Sequence, residues 1–363
     1  MLGASRNPLV AASAGVLALA VAVCPDLLGP RLHAADAPTD APAALPIRVP
    51  AKARVLIVED DQATSAYTAR LEVIRRMMDR GLTNFTGKVS LTDAWRSLVS
   101  TQDIVGVKVY SAPGALSGTR PAVTEALVSS LLASGHPAAG VILWDKQMAQ
   151  LRQAGFVDLG QRLGVRVAAS TEGGYDTNHF YDNAILGQLV HGDYDFDARG
   201  ETMGRKSYVA KLVTQQMTKI ISIAPLLNHN LTGVSGHLLS LSLGSVDNTI
   251  RFVSDPTRLA VAVPEIYALP VLGDRVVLNV TDALLAQYYG EERTLLHYSA
   301  VLNQLRFSTD PVALDVLSIR ELARQRELAG MPAESSPLVL YQNASLVEIG
   351  VSDPNSIIIE TAR

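Results

Sequence analysis

Cysteine is almost absent. Cys24 is the single one in 363 residues, and it lies in a leader-like segment, so a chain without that segment has neither an internal disulfide nor a cysteine-ligated zinc or iron–sulfur site of its own. Aromatic residues make up only 5%, and 31 Lys and Arg against 35 Asp and Glu leave a formal net charge of −4 with no basic cluster. That excludes the basic footprint and the stacking platform of a nucleic-acid protein. Apolar runs are short as well. The longest one near the amino terminus, Leu9 to Val23, falls below the ~20 residues that a membrane-spanning helix needs.

What is there begins with an export signal. Arg6, the run Leu9 to Val23 and the small-residue end Leu32-His33-Ala34 follow the order of a Sec-type leader, with cleavage expected after Ala34. The expected organisation is a signal peptide over 1–34, an alanine- and proline-rich tether over 35–53, and a single α/β domain over 54–363. The expected location is periplasmic or extracellular, with no stable membrane span once the leader is gone. With no disulfide available, stability has to come from a core, which a domain of this length can supply.

From Arg54 onward, strand-length apolar runs alternate with helical periodicity, which predicts a mostly parallel central sheet with helices on both faces. The strand candidates are 55–58, 104–109, 141–144, 165–168, 220–223, 276–280, 304–307 and 356–360. Their near-continuous hydrophobicity suits burial on both faces. Helices are predicted over 63–80, 121–133, 208–219 and 311–326, with Pro121 and Pro311 at helix starts that tolerate proline. The polar, glycine-bearing stretch 171–205 reads as a surface insertion or lid. Within it Asp193, Asp195 and Asp197 have a calcium-like spacing but lack the glycine and terminal glutamate of an EF-hand loop, so a solvated loop is the simpler reading.

In open α/β sheets ligands gather at the carboxyl ends of strands, and that is where the chemistry-bearing residues fall. Lys108 ends one strand candidate and is followed by the loop Ser111 to Thr119, whose Ser111, Gly114 and Ser117 offer hydroxyls and free backbone N–H groups to an anion before the next helix. Asp145 and Asp282 each close a strand, a placement that suits proton transfer or a cation but also a plain helix cap. Glu59, Asp60 and Asp61 open like a receiver's acidic cluster, yet no acceptor aspartate follows on the later strand. His229 and His237 flank Asn230 to Gly236, with Thr232 and Ser235 between them. Their spacing is no recognised zinc pattern, and a metal would need a third ligand such as Asp282 or His179, so each histidine stays open as a metal ligand, a proton carrier or a hydrogen-bonded structural group. No metal or other cofactor is expected.

In order along the chain, Val55 to Thr64, Val105-Gly106-Val107-Lys108-Val109, Val141 to Lys146, Ile220 to Asn248, Leu278 to Leu284 and Thr309 to Asp315 resemble the family called domain of unknown function 362, in particular its exported members without the ferredoxin-like iron–sulfur module. Leu340 to Asp353 resembles that family's closing segment. Members commonly carry a lysine two residues before the histidine of the central block and a lysine and asparagine after its turn. Leu227 and Leu239-Ser240 stand there in this chain, and Tyr110 stands where asparagine often follows the Lys108 strand. The expectation is an exported protein that binds, and in one version turns over, a small anionic molecule, with Lys108, His229, Asp145 and Asp282 as the acting groups. Two alternatives stand beside it: a non-catalytic binding or scaffold member that has lost the lysines, and a redox enzyme fed by an external iron–sulfur partner.

Overall fold

The computed structural model describes residues 52–183, 206–332 and 338–362; the leader, most of the tether, and Asp193, Asp195 and Asp197 lie outside the described residues. The strands are β1 Ala53–Glu59, β2 Thr64–Ser65, β3 Thr68–Ala69, β4 Val105–Val109, β5 Val141–Asp145, β6 Arg166–Ala169, β7 Tyr175–Asp182, β8 Lys206–Ala210, β9 Lys219–His229, β10 Gly233–Val234, β11 Val276–Gln287, β12 Ser299–Ser308 and β13 Ile357–Ala362. The helices are α1 Leu71–Thr86, α2 Leu91–Leu98, α3 Gly114–Ser117, α4 Pro121–Ala133, α5 Met148–Gln153, α6 Phe156–Leu163, α7 Ser170–Gly173, α8 His237–Ser245, α9 Ile250–Val253, α10 Pro256–Tyr267, α11 Pro311–Leu328 and α12 Val339–Leu346.

The main sheet runs β13-β1-β12-β11-β9-β4-β5-β6, with β10 added to the end of β9. Only β12 is antiparallel to both of its neighbours, and the other main-path pairings are parallel. The mostly parallel α/β sheet expected from the sequence is therefore what the chain forms. Every residue of β4 and β5 is buried, because helices cover both faces. On one face Val105, Val107, Val109, Leu143, Ile221 and Ile223 pack with α1, α2, α4 and α6. On the other, Ile142, Trp144 and Ile220 pack with α8, α10, α11 and α12.

The helices follow from local sequence. In α1, Val73, Ile74, Met77, Met78, Gly81 and Leu82 form one buried stripe, and Gly87 ends the helix in the left-handed conformation at φ 67°. Gly81 has a packing reason too, since a Cβ there would lie 2.3 Å from the Phe307 ring. Two expectations are corrected. The helix predicted to start at Ala63 starts at Leu71, because Thr64–Ala69 form a tight hairpin whose central residues, Ala66 and Tyr67, both have positive φ (47° and 63°). The helix predicted over 208–219 is instead the end of β8, a short π-helical turn at Leu212–Gln216, and the start of β9. Val209, Leu212, Val213 and Met217 do have helical spacing, but pairing of β8 with β7 takes the segment into a hairpin. β7 lies inside the expected insertion 171–205, and β8 follows it; residues 184–205 lie outside the described residues.

Candidate functional site

Chain order fixes where a cleft should open. From β4 the chain moves to β5 and β6 on one side, and later from β9 to β11 on the other. The strand order therefore reverses between β4 and β9, and a crevice outside their carboxyl ends is the preferred ligand position of such a sheet. Lys108 and Tyr110 lie at the end of β4, and His229, Thr232 and Ser235 at the end of β9.

Lys108 does meet Asp145. Its Nζ donates to Asp145 Oδ1 at 2.8 Å, to Ser240 Oγ at 2.9 Å and to the Val109 carbonyl at 2.8 Å, which accounts for all three hydrogens of an ammonium. The side chain has no solvent exposure. Burial lowers the Lys108 pKa, while the charge of Asp145 and its hydrogen bond oppose that shift. Asp145 is equally committed. Its Oδ2 accepts from the Ser111 N–H at 2.8 Å and from Ser111 Oγ at 2.6 Å, and its Oδ1 also accepts from the Lys146 N–H at 2.7 Å. Helix α8 closes over the pair at Gly244, where a Cβ would stand 2.4 Å from Lys108 Cε.

Asp282 joins neither of them. Lys108 is in register with Ser222 and Ser222 with Asn279, so Asp282, three residues beyond Asn279, points to the opposite face of the sheet. There it accepts from Arg120 Nη1 at 2.8 Å and from the Arg120 N–H at 2.9 Å, in a second buried ion pair at the start of α4. The expected convergence of Lys108, Asp145, Asp282 and His229 on one cleft is not met, for that reason. Of the loop residues, Ser111 serves Asp145, Ser117 Oγ donates to Gln287 Oε1 at 2.5 Å, and Gly114 provides a positive φ of 78° in the turn.

The two histidines also part company. His237 is wholly buried at the first position of α8, with Nδ1 2.9 Å from Ser222 Oγ and Nε2 3.0 Å from Thr281 Oγ1. Burial lowers its pKa to about 3, so it is a neutral structural imidazole. His229 is half-buried at the rim. The N–H groups of Leu231 and Thr232 both point at its Nδ1 at 3.3 Å, so Nδ1 holds the lone pair and the neutral ring carries its proton on Nε2. Thr232 Oγ1 lies 3.0 Å from the same Nδ1. Burial lowers the pKa of His229 against the opposing charges of Glu291 and Glu292. His179 belongs elsewhere, 3.1 Å from Asp176 within β7. Among the described residues no group of three His, Cys, Asp or Glu is placed to hold a metal ion, and no described helix is long and apolar enough to cross a membrane.

A common pattern emerges at the loop and helix starts. Asp145 takes the Ser111 and Lys146 N–H groups, Asp282 takes that of Arg120, and Asp315 takes those of His237 and Leu238 at 2.8 and 3.0 Å. Backbone N–H groups that would hold a ligand's anion already hold internal carboxylates. Gly236 lets Asp315 come this close, since a Cβ there would lie 2.1 Å from its Oδ1. Sequence reasoning missed Arg120, Ser240, Tyr110 and Glu292 as rim partners. Arg120 had one signal, a basic residue directly before the proline that starts α4; the others had none without the fold.

No protein-family model matches the chain, and no curated protein matches it. Among solved structures, a structural-genomics crystal structure of a Thermotoga maritima protein is similar at 12% identity and a TM-score of 0.39, over 72% of this chain and 60% of that one. The chain thus spans about 60% of the length of that protein.

Proposed function

We propose that this chain is a binding protein rather than an enzyme, of the exported α/β kind that resembles the domain of unknown function 362 family. Its buried Lys108–Asp145 and Arg120–Asp282 pairs act as folding determinants, and a small molecule is taken at the rim where β4 and β9 end. One observation carries the reading. All three ammonium hydrogens of Lys108 go to internal acceptors at zero exposure, beneath a helix that packs without room for a methyl group. A lysine so held has nothing left to offer a substrate. The groups that remain toward solvent there are those around His229, and they are polar. The opposing reading, turnover, draws on the lowered pKa of Lys108 beside a carboxylate, a combination that also suits acid–base lysines. It requires α8 to withdraw from β4.

A thermal-shift screen of small carboxylates, phosphate, amines and polyols separates the two. The binding reading expects at least one class to stabilise the protein, the stabilisation to vanish in His229→Ala, and to persist in a folded Lys108→Met, Asp145→Asn double variant. Loss of the shift in that double variant with the fold retained would restore Lys108 as a ligand group.

A further inference from the structure

We propose that the crevice between the ends of β4 and β9 is a carboxylate-binding site which the chain keeps closed with its own Glu291 and Glu292. This rests on the binding reading above and adds the ligand's class and the element that competes with it.

The rim groups are donors. Tyr110 O–H donates to Glu292 Oε1 at 2.6 Å, and the Asn230 N–H donates to Glu291 Oε1 at 2.8 Å. The His229 Nε2–H follows from its tautomer, and the ring lies within the field of both glutamates. Ser235 supplies a further hydroxyl. Its residue has no exposure, and its hydroxyl lies at the Tyr110 phenol. A hydroxyl that faces a phenol already holding a carboxylate oxygen is placed to donate to a second such oxygen. The buried cations Lys108 and Arg120 are spent on Asp145 and Asp282, so the donors named here are neutral. Neutral donors arranged in this way suit a singly charged carboxylate group, because bonds to a charged acceptor are stronger than neutral ones.

The two glutamates arrive on a strap, the connection that follows β11. Gly290 and Glu291 both have positive φ, 102° and 52°, which turns the chain back over the strand ends. The strap is tied down by the Gln287 side chain to the Glu291 and Arg293 carbonyls, by the Glu291 N–H to Asn228 Oδ1 at 3.0 Å, and by Thr294 Oγ1 to the Pro113 carbonyl at 3.1 Å. The Glu292 side chain itself is exposed. It is therefore an internal stand-in that can leave without unfolding anything. A ligand carboxylate takes the donors as Glu292 swings into water, so the strap weakens binding by the strength of the contact it has to surrender.

Isothermal titration of the folded chain with succinate, and separately with inorganic phosphate, tests this. Glu292→Ala is expected to bind succinate about tenfold tighter than the unaltered protein, as loss of a charged hydrogen-bond competitor allows, and adding Tyr110→Phe or Ser235→Ala to it is expected to undo the gain. Tighter binding of phosphate than of succinate by Glu292→Ala would overturn the carboxylate assignment. No succinate binding by either protein, or binding weakened by Glu292→Ala, would overturn the proposal altogether. Other compounds found in the thermal-shift screen, dependent on His229 but indifferent to Glu292, would sink this inference and leave the binding reading standing. An empty screen would sink both.

Discussion

Replacing Lys108 by Met keeps most of the side-chain stem volume and deletes the ammonium. What it leaves is Asp145, almost fully buried with an uncompensated charge. Removing one partner of a buried pair typically costs about 3–5 kcal/mol. Here the low end applies, because Asp145 keeps three other donors, the Ser111 N–H, Ser111 Oγ and the Lys146 N–H, while Ser240 Oγ and the Val109 carbonyl lose theirs. For a folded part of roughly 310 residues an unfolding entropy near 2 cal/mol/K per residue converts about 3 kcal/mol into a fall in Tm of roughly 5 °C. Asp145→Asn should also destabilise, by leaving the ammonium among neutral acceptors. The double variant should cost about 1–3 kcal/mol less than the two singles together, as expected of residues in direct contact. Urea midpoints of the four proteins, with slopes checked for constancy, measure this cycle. A Lys108→Met cost below about 1 kcal/mol, or strict additivity, would refute the view that this pair braces the rim.

Other consequences are as direct. Gly244→Ala places a methyl group 2.4 Å from Lys108 Cε, so it should destabilise by about 1–3 kcal/mol in spite of alanine's better helix propensity, readable as a lower urea midpoint. His237 titrates at about 3 in the fold against 6.5 unperturbed. The unfolded chain therefore takes up the proton first, and stability falls as pH drops below about 6.5 and continues to fall toward about 3. His237→Gln lacks that titration, so between pH 7 and pH 5 the unaltered protein should lose about 2 kcal/mol more than the variant, measured by chemical denaturation at both pH values. Asp315→Ala removes the acceptor of two N–H groups at the start of α8 and should cost about 1–2 kcal/mol or more, with faster amide exchange at His237 and Leu238 as its local signature.

The fold was legible where a residue pattern had one cause. β4 and β5 read as continuous apolar runs because both faces are covered, and α4 starts at Pro121 and ends at Ala133 as its spacing predicts. Helix α8 was not legible as a helix, since eight of its nine residues are buried and a helix buried all round has no polar face to set a 3.6-residue period. The segment 208–219 failed in the opposite direction, its period being real but overridden by pairing across a hairpin. Site reasoning found the strand ends and named Lys108 and Asp145, but as acting groups of a cleft rather than as partners in one buried pair. It failed on Asp282, because a position at a strand end does not reveal which face the side chain takes without the register. Arg120 and Asp315, the partners that turn apparent ligand groups into braces, come from elements 162 and 78 residues away in sequence.

The central claim is that Lys108 is sealed into the rim rather than offered to a substrate, and amine-reactive labelling of the native protein followed by mass spectrometry tests it most directly. Lys88 and Lys211 are exposed and serve as internal references. Lys108 should remain unmodified at reagent exposures that modify both of them, and should react only after denaturation. Labelling of Lys108 in the native state at a rate comparable to Lys88 would contradict the account.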